Sequence, residues 1–254
     1  MHRLLKPYFA LLFFTQIAYS DQPHTFDKRK PPLLTMTLFQ ANLGWADFYA
    51  PNKMTDFFNP SESTTHNFSA SSLHVALNIT DLVRVPSAPT WILGARLGAQ
   101  IFSNLKDNFT TTTSSAVNQD HQTVQVNQTY SLSLPGGAFG DFIAFKTFQE
   151  EQFYASAFAG VAYDRYRFQG YQNVLSGVTR KIRNDSLWAA GARLGAGLGI
   201  QLKGNMLVGI EYTHRFKQSM YAQAKSVNYH YEYRSHRMHI TGDSVDLIFS
   251  RASY

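Results

Sequence analysis

The chain of 254 residues contains no cysteine. This absence excludes disulfide bonds, thiolate metal sites and a lipid-bearing N-terminal cysteine. Long apolar runs are also missing, since no stretch after Asp21 approaches the ~20 apolar residues that a transmembrane helix needs. A strong excess of one charge sign is missing as well, because 23 basic and 17 acidic residues leave a net charge of only +6. So mild an excess gives no argument for a nucleic acid partner.

The first twenty residues have the pattern of a secretory signal peptide. Arg3 and Lys6 supply a positive start, and an apolar run follows from Tyr8 to Ala18. Ala18 and Ser20 place small residues at the positions that a signal peptidase reads before Asp21. An uncleaved anchor would need a longer apolar run. The pattern predicts a cleaved signal peptide at 1–20, a periplasmic segment at 21–32 and a folded domain at 33–254.

Two segments alternate between apolar and polar residues over an unusual length. From Trp91 to Ile101 the odd positions are apolar and the even positions after Ile92 are small or polar. The segment from Leu187 to Lys203 repeats this with the opposite parity from Trp188 on. In a strand these two sets lie on opposite faces. A tilted strand that crosses the hydrocarbon layer needs ~9–11 residues with lipid-facing and lumen-facing side chains in alternation. The pattern therefore predicts transmembrane β-strands.

Six further segments alternate in the same way, which gives eight strands in all. They lie near 39–46, 73–80, 121–148, 153–164, 206–216 and 238–254. Pro135-Gly136-Gly137 interrupts the third of these, where we expect a bulge or an early turn. The connections alternate between long polar segments, expected to be outer loops, and short ones, expected to be periplasmic turns. The long ones are 47–66, 103–121, 169–186 and 218–237, and the short ones are 81–90, 149–152 and 203–205.

These features predict an all-β fold, a closed antiparallel up-and-down transmembrane β-barrel with eight strands, long outer loops and short periplasmic turns. Closure is required because a strand edge cannot be left unpaired in lipid. Aromatic residues near strand ends are expected to form interfacial girdles. The candidates are Trp45, Trp91, Phe102, Trp188 and Phe216.

At the level of pattern, the chain resembles the eight-stranded outer-membrane barrels of the opacity-protein and outer-membrane-protein-A type. The resemblance covers about 33–254 and is carried by the strand-turn-strand run Leu187 to Phe216 and by a last strand that ends on Tyr254. It implies a location in the outer membrane and partners in outer-membrane lipid, lipopolysaccharide and the barrel-assembly machinery. Because Val245, Leu247 and Phe249 are out of phase with Tyr254, either a bulge lies near 250–251 or this interpretation of the final strand is partly wrong.

Charged residues fall on the faces that the alternation turns inward. The interior of an eight-stranded barrel is just wide enough for side chains to fill it, and buried charges must be paired. We therefore expect a polar network that plugs the lumen, with Arg96 or Arg193 against Glu211. A selectivity filter or gate is the alternative interpretation of the same residues. The predicted lumen network comprises Arg96, Arg193, Glu211, Arg215 and Asp164.

An enzyme that hydrolyses or acylates lipid A is the second function class. It would need a serine, a histidine and a carboxylate at the outer rim, and two sets are available. The sets are His214 with Ser219 and Glu211, and His239 with Ser244 and Asp243. His214 and Glu211 differ by three positions, so they face opposite sides of a strand. His236 and His239, with His230 nearby, could bind a metal ion, but a fourth ligand is not obvious. We therefore predict no metal site, and we predict no catalytic residue and no cofactor.

The last outer connection interleaves aromatic and basic residues. Such groups on an exposed loop could bind sulfated or phosphorylated sugars or a protein partner, and they could equally brace lipopolysaccharide phosphates. The candidates are Tyr229, Tyr231, Tyr233, Arg234 and Arg237. The leading function is therefore a non-enzymatic barrel whose four loops serve surface interaction with host or surface ligands, or envelope integrity. A soluble lipocalin-like carrier, with the apolar faces turned inward, is a third class.

Overall fold

A computed structural model gives the fold. It describes residues 35–56, 61, 63–85, 87–88, 90–103, 106–117, 123–148, 152–173, 179–203, 205–223, 226–227, 230–231 and 234–253. The predicted signal peptide at 1–20, the segment 21–32 and Tyr254 lie outside these residues. No helix in the described part of the chain is long and apolar enough to cross a membrane.

Antiparallel strands build the described chain. They are β1 (Thr35–Asp56), β2 (Ser63–Arg84), β3 (Trp91–Phe102), β4 (Lys106–Val117), β5 (Thr123–Phe148), β6 (Phe153–Asn173), β7 (Thr179–Leu202), β8 (Met206–Ala222), the short β9 (Ser226–Val227) and β10 (His230–Tyr231), and β11 (Arg234–Ser253). β3 and β4 both pair with β5, so together they occupy one of the eight strand positions in the barrel wall. β9 and β10 pair only with each other. β1 pairs with β2 and with β11, so the sheet closes as a ring of eight. The predicted eight-stranded barrel is confirmed.

The alternation places large apolar side chains on the outside of the barrel. Leu97, Ile101 and Phe142 are 71%, 70% and 81% exposed. Outward apolar residues form a band over 39–45, 73–83, 91–101, 138–148, 153–163, 188–200, 206–212 and 245–249. Water would penalise such a surface, whereas lipid matches it. The lipocalin-like alternative is therefore wrong, because it requires these faces inside.

Aromatic residues mark the borders of this apolar band. Trp45, Trp91, Trp188 and Phe216 are exposed on the outer surface, as the girdle prediction requires. Phe102 was wrongly assigned to the girdle, because it is 4% exposed and its ring lies in the lumen, 5.3 Å from that of Phe48. It occupies an even position on β3, on the face opposite to Ile101.

Strands occupy most of the four segments that were expected to be long loops. β1 continues to Asp56, β4 covers 106–117, β6 and β7 leave only 174–178 between them, and β8 and β11 leave 223–233. In these extensions the outward side chains are mainly polar and the inward ones mainly apolar. Because water surrounds the barrel beyond the band, the usual arrangement of an apolar interior returns there. The barrel thus projects well above the membrane.

Irregularities shift the faces at defined positions. The bulge expected at Pro135-Gly136-Gly137 is confirmed, since the register between β5 and β6 shifts between Ser133 and Gly136. A second shift lies between β8 and β11, where β8 carries one extra residue at 216–217 opposite the stretch from Ile240 to Gly242. The bulge considered near 250–251 is absent from the described part of β11, because pairing and alternation stay regular to the end of the strand.

Three layers fill the lumen. An outer apolar cluster includes Phe48, Phe68, Phe109, Tyr130 and Phe168. A belt of charged and amide side chains follows at the level of the membrane. The periplasmic end is filled by a second apolar cluster, which consists of Leu38, Leu82, Ile92, Ile143, Phe145, Tyr154, Phe158 and Ala252.

Candidate functional site

Arg96 is the centre of the charged belt. It lies on β3 directly opposite Asp141 of β5, and its Nε is 2.8 Å from Asp141 Oδ2. Its Nη1 reaches across the lumen to Glu211 Oε2 at 2.7 Å. All three side chains are almost fully buried. Ion pairs with hydrogen-bond geometry offset the cost of removing these charges from water.

Two more arginines face each other on neighbouring strands. Arg193 of β7 is the register partner of Arg215 of β8. Arg193 Nε is 3.2 Å from Asp141 Oδ1, and its guanidinium carbon lies 4.0 Å from the centre of the Phe139 ring. Arg215 donates from Nη2 to Gln100 Oε1 at 2.5 Å. Aromatic faces attract guanidinium groups, so both cations have partners other than a single carboxylate.

Asp164 lies beside this ion-pair group in an amide network. Gln100 Nε2 donates to Asp164 Oδ1 at 2.7 Å, and Gln218 Nε2 donates to Oδ2 at 3.0 Å. Tyr166 in turn donates to Gln218 Oε1. Gln100 therefore connects Arg215 with Asp164. The five residues of the predicted network fall into two neighbouring groups, one around Asp141 with Arg96, Arg193 and Glu211, and one around Gln100 with Arg215 and Asp164.

Sequence reasoning missed three members of the belt. Asp141 follows the bulge at 133–136, which reverses the parity of β5, so its face could not be assigned from the sequence. Asp246 and His74 alternate with apolar residues that face lipid, and this signal was present. His74 Nε2 lies 3.2 Å from Asp246 Oδ1.

Gly44 gives Asp246 its place in the lumen. It is the register partner of Asp246 on β1, and a Cβ at Gly44 would lie 1.8 Å from Asp246 Oδ1. Any side chain here would displace the carboxylate. The glycine is thus required by a close approach rather than by its backbone angles.

A second polar group lies in the lumen near the outer opening. Arg183 Nη1 is 2.8 Å from Asp185 Oδ2, and the side chains of Asn52 and His236 lie 3.2 Å apart. Tyr130 and Phe168 stack at 5.7 Å beneath them and separate this group from the charged belt.

Only part of the predicted loop site can be described. Tyr229 and Tyr233 lie outside the described residues, and Tyr231 pairs with Ser226 in the β9–β10 hairpin. Arg234 donates from Nη1 to Thr111 Oγ1 at 3.2 Å, while Arg237 is exposed on the outer surface.

The two proposed catalytic sets are not assembled. His214 Nδ1 is 2.8 Å from Asp243 Oδ1, and Ser219 Oγ is 3.0 Å from His239 Nδ1, so the partners are exchanged relative to the prediction. Glu211 and Ser244, which were assigned to these sets, point into the lumen. His236 and His239 lie on opposite faces of β11, because His236 is fully buried and His239 faces outward, so they do not share a site.

Two groups above the membrane band have shifted pKa values. Partial burial acts to raise the pKa of Asp243, but hydrogen bonds from Tyr212 and His214 outweigh it and hold the pKa below its usual value. Slight burial and the charges of Lys217 and Arg237 lower the pKa of His239. His239 is therefore neutral at physiological pH.

The outward apolar band, its aromatic borders, the ring closure and the polar belt define the class of this molecule. It is a closed eight-stranded β-barrel of the outer membrane. Apolar side chains lie at both ends of the lumen, on either side of the belt.

No protein-family profile matches the chain, and no curated protein matches it significantly in sequence. A comparison with solved structures finds matches at low sequence identity. The attachment invasion locus protein Ail of Yersinia pestis, solved with the heparin analogue sucrose octasulfate, is 9% identical, with 81% of this chain and 98% of that chain covered at a TM-score of 0.30. The outer membrane protease OmpT from Escherichia coli is 9% identical, with 88% and 100% covered at a TM-score of 0.44. Neisserial surface protein A is 9% identical, with 80% of this chain and 96% of that chain covered at a TM-score of 0.27.

Proposed function

We propose that the protein is a non-enzymatic, non-conducting barrel that serves surface interaction or envelope integrity through its outer rim. The observation that carries this proposal is the filled lumen. Apolar clusters cover both ends of a belt in which Arg96 pairs with Asp141 and Glu211 inside the barrel. Among the described residues the interior has no open route for a substrate, so we assign contacts with other molecules to the outer surface.

The size of the remaining interior space supports this proposal. The cavity at the periplasmic end, between Leu38 and Tyr154, has a volume of about 30 Å³. The cavity beneath the outer opening, between Phe68 and Tyr166, is equally small. Such a volume holds about one water molecule, and a hydrated ion needs several.

Conductance across a planar bilayer tests the closed lumen. The purified barrel is expected to insert without stepwise current, while an open porin in the same bilayer gives clear steps. Regular steps from the purified protein would contradict the proposal and would favour the alternative that the charged belt is a selectivity filter.

The surface role can be separated from envelope integrity in cells. Expression in a non-adherent bacterial host, followed by counting of cells that an epithelial layer retains, tests adhesion. Deletion from the native host, followed by growth in detergent, tests integrity. If neither adhesion nor detergent resistance changes, the proposed role is wrong.

The enzyme alternative has its own test. His214→Ala and His239→Ala remove both histidines that contact a carboxylate or a serine at the rim. Lipid A from cells that carry either variant is expected to have the same mass as lipid A from cells with the unchanged protein. A mass difference would establish a lipid A-modifying enzyme.

A further inference from the structure

Two arginines stand on the outer surface at the upper border of the membrane band. Arg165 and Arg167 occupy successive outward positions of β6 and are both exposed. Directly below them on the same face is Tyr163, whose ring stacks on that of Trp188 at 4.9 Å. Trp188 is also the register partner of Arg165 on β7. Stacked aromatic side chains of this kind mark the level of lipid headgroups.

No carboxylate on this face balances the two charges within the described part of the chain. The register partners of Arg167 are Ser133 on β5 and Ser186 on β7. The nearest acids along the chain, Asp164 and Asp185, point into the lumen and are engaged there. Two like charges about 7 Å apart on one strand repel each other unless an anion lies between them.

The local hydrogen bonds favour an anion at this position. Arg165 Nε donates to Ser186 Oγ at 2.9 Å, which fixes the guanidinium and leaves its two Nη groups without a partner among the described residues. In the next row, Gln169 Nε2 donates to Asn184 Oδ1 at 3.2 Å. A fixed guanidinium loses little freedom when it binds the paired oxygens of a phosphate.

We propose that Arg165 and Arg167 form a binding site for a phosphate group of the outer-leaflet glycolipid lipid A. The aromatic pair below them contacts the start of the acyl chains, and the two guanidinium groups donate to the phosphate oxygens. The site fixes the height and the rotation of the barrel in the membrane. It depends on the membrane placement of the barrel and not on the proposed surface role.

Titration with lipid A tests this site. The full barrel in mild detergent is titrated with bisphosphorylated lipid A, and the temperature at which it unfolds is followed by gel mobility. We expect the unfolding temperature to rise as lipid A is added. R165Q/R167Q should need at least about tenfold more lipid A for the same rise, since hydrogen bonds from a charged group to the phosphate contribute to the binding free energy. R165K/R167K should fall between the two, because lysine keeps the charge but loses the paired geometry.

A matched control comes from a second pair of outward cations. Lys53 on β1 and Lys181 on β7 are equally exposed but lie further from the apolar band. K53Q/K181Q removes the same charge and is expected to respond to lipid A like the unchanged protein. Equal weakening in both double variants would overturn the site in favour of general charge attraction.

Two further ligands identify what is bound. Lipid A without phosphate is expected to stabilise the unchanged protein and R165Q/R167Q equally, because only acyl contacts remain. Inorganic phosphate is expected to give no shift at millimolar concentration. A phosphate-independent difference between the proteins, or full stabilisation by inorganic phosphate, would contradict a lipid phosphate site.

Discussion

Removal of Arg96 should destabilise the barrel more than any other single change in the charged belt. Arg96→Met keeps most of the side-chain volume but leaves Asp141 and Glu211 without the guanidinium that contacts both at 2.8 and 2.7 Å. Breaking a buried ion pair by removing one partner costs about 3–5 kcal/mol. Glu211→Gln should cost about 1–3 kcal/mol, because Arg96 keeps Asp141 and the amide can still accept a hydrogen bond.

The double variant R96M/E211Q separates an ion-pair effect from a packing effect. If the cost of R96M comes from an uncompensated Glu211, the double variant is less destabilised than the sum of the two single variants by about 0.5–3 kcal/mol. Unfolding in urea from lipid vesicles can be followed through the fluorescence of the outward-facing tryptophans. A cost below about 1 kcal/mol for R96M, or strict additivity, would refute the assignment of Arg96 as the centre of the belt.

Three further changes test other parts of the barrel. Gly44→Ala should destabilise it by about 1–3 kcal/mol, because the new Cβ would displace the Asp246 carboxylate, and urea unfolding measures this. Phe168→Ala should cost about 3–5 kcal/mol by opening a cavity in the outer apolar cluster, which lowers the unfolding temperature on heated gels. The pKa of Asp243 is lower in the folded protein than in the unfolded chain, so the ionised carboxylate stabilises the fold. This stabilisation is fully present above the unfolded pKa of about 3.9 and is lost as the pH falls through the folded-state pKa. Asp243→Asn, which removes the carboxylate bound by His214, should therefore reduce the loss of stability as the pH falls below about 4.

Each of these three substitutions has its own control or its own contradicting result. Gly140→Ala is the control for Gly44→Ala, since its nearest neighbour, Leu97 Cδ2, lies at 3.2 Å and belongs to a flexible side chain. For the outer cluster, Leu97→Ala removes a lipid-facing side chain and should cost less than Phe168→Ala. An equal cost for the two would show that the outer cluster is not a packed core. An acid profile unchanged by Asp243→Asn would mean that the hydrogen bonds to Asp243 do not contribute to stability.

The strands inside the membrane could be predicted because lipid imposes a simple rule on them. Apolar side chains must face outward, so Trp91 to Ile101 and Leu187 to Lys203 reveal both their length and their faces. The eight-stranded ring follows from counting such segments. The inward placement of Arg96, Arg193 and Glu211 follows from the same alternation.

The strand extensions were missed because the rule reverses at the membrane border. In β1 the apolar residues at odd positions from Phe39 to Trp45 face lipid, whereas Phe48, Ala50 and Met54 occupy even positions and face the lumen. The alternation never stops, but the solvent outside changes from lipid to water. With Lys53 and other polar residues between the apolar ones, the segment has the composition of a loop.

The arrangement of apolar and polar side chains in the lumen could not be predicted from the sequence either. Charged residues on inward faces indicated a polar plug, yet two apolar clusters enclose the polar belt on either side. The partner of Arg96 on β5 depended on the bulge before Asp141, whose effect on parity a sequence does not specify. Contacts between distant strands, such as Arg96 with Glu211, depend on the ring closure itself.

Fluorescent probes on single cysteines test the membrane placement most directly, because the cysteine-free chain allows one probe at a time. Leu97→Cys places a probe on the outward face within the apolar band, and Lys53→Cys places one on the outward face of the β1 extension. In vesicles that contain brominated lipid, the probe at 97 should be strongly quenched and the probe at 53 should respond only to a water-soluble quencher. A probe at 97 that water reaches, or a probe at 53 that lipid quenches, would contradict a barrel that spans the membrane through its apolar band and projects above it.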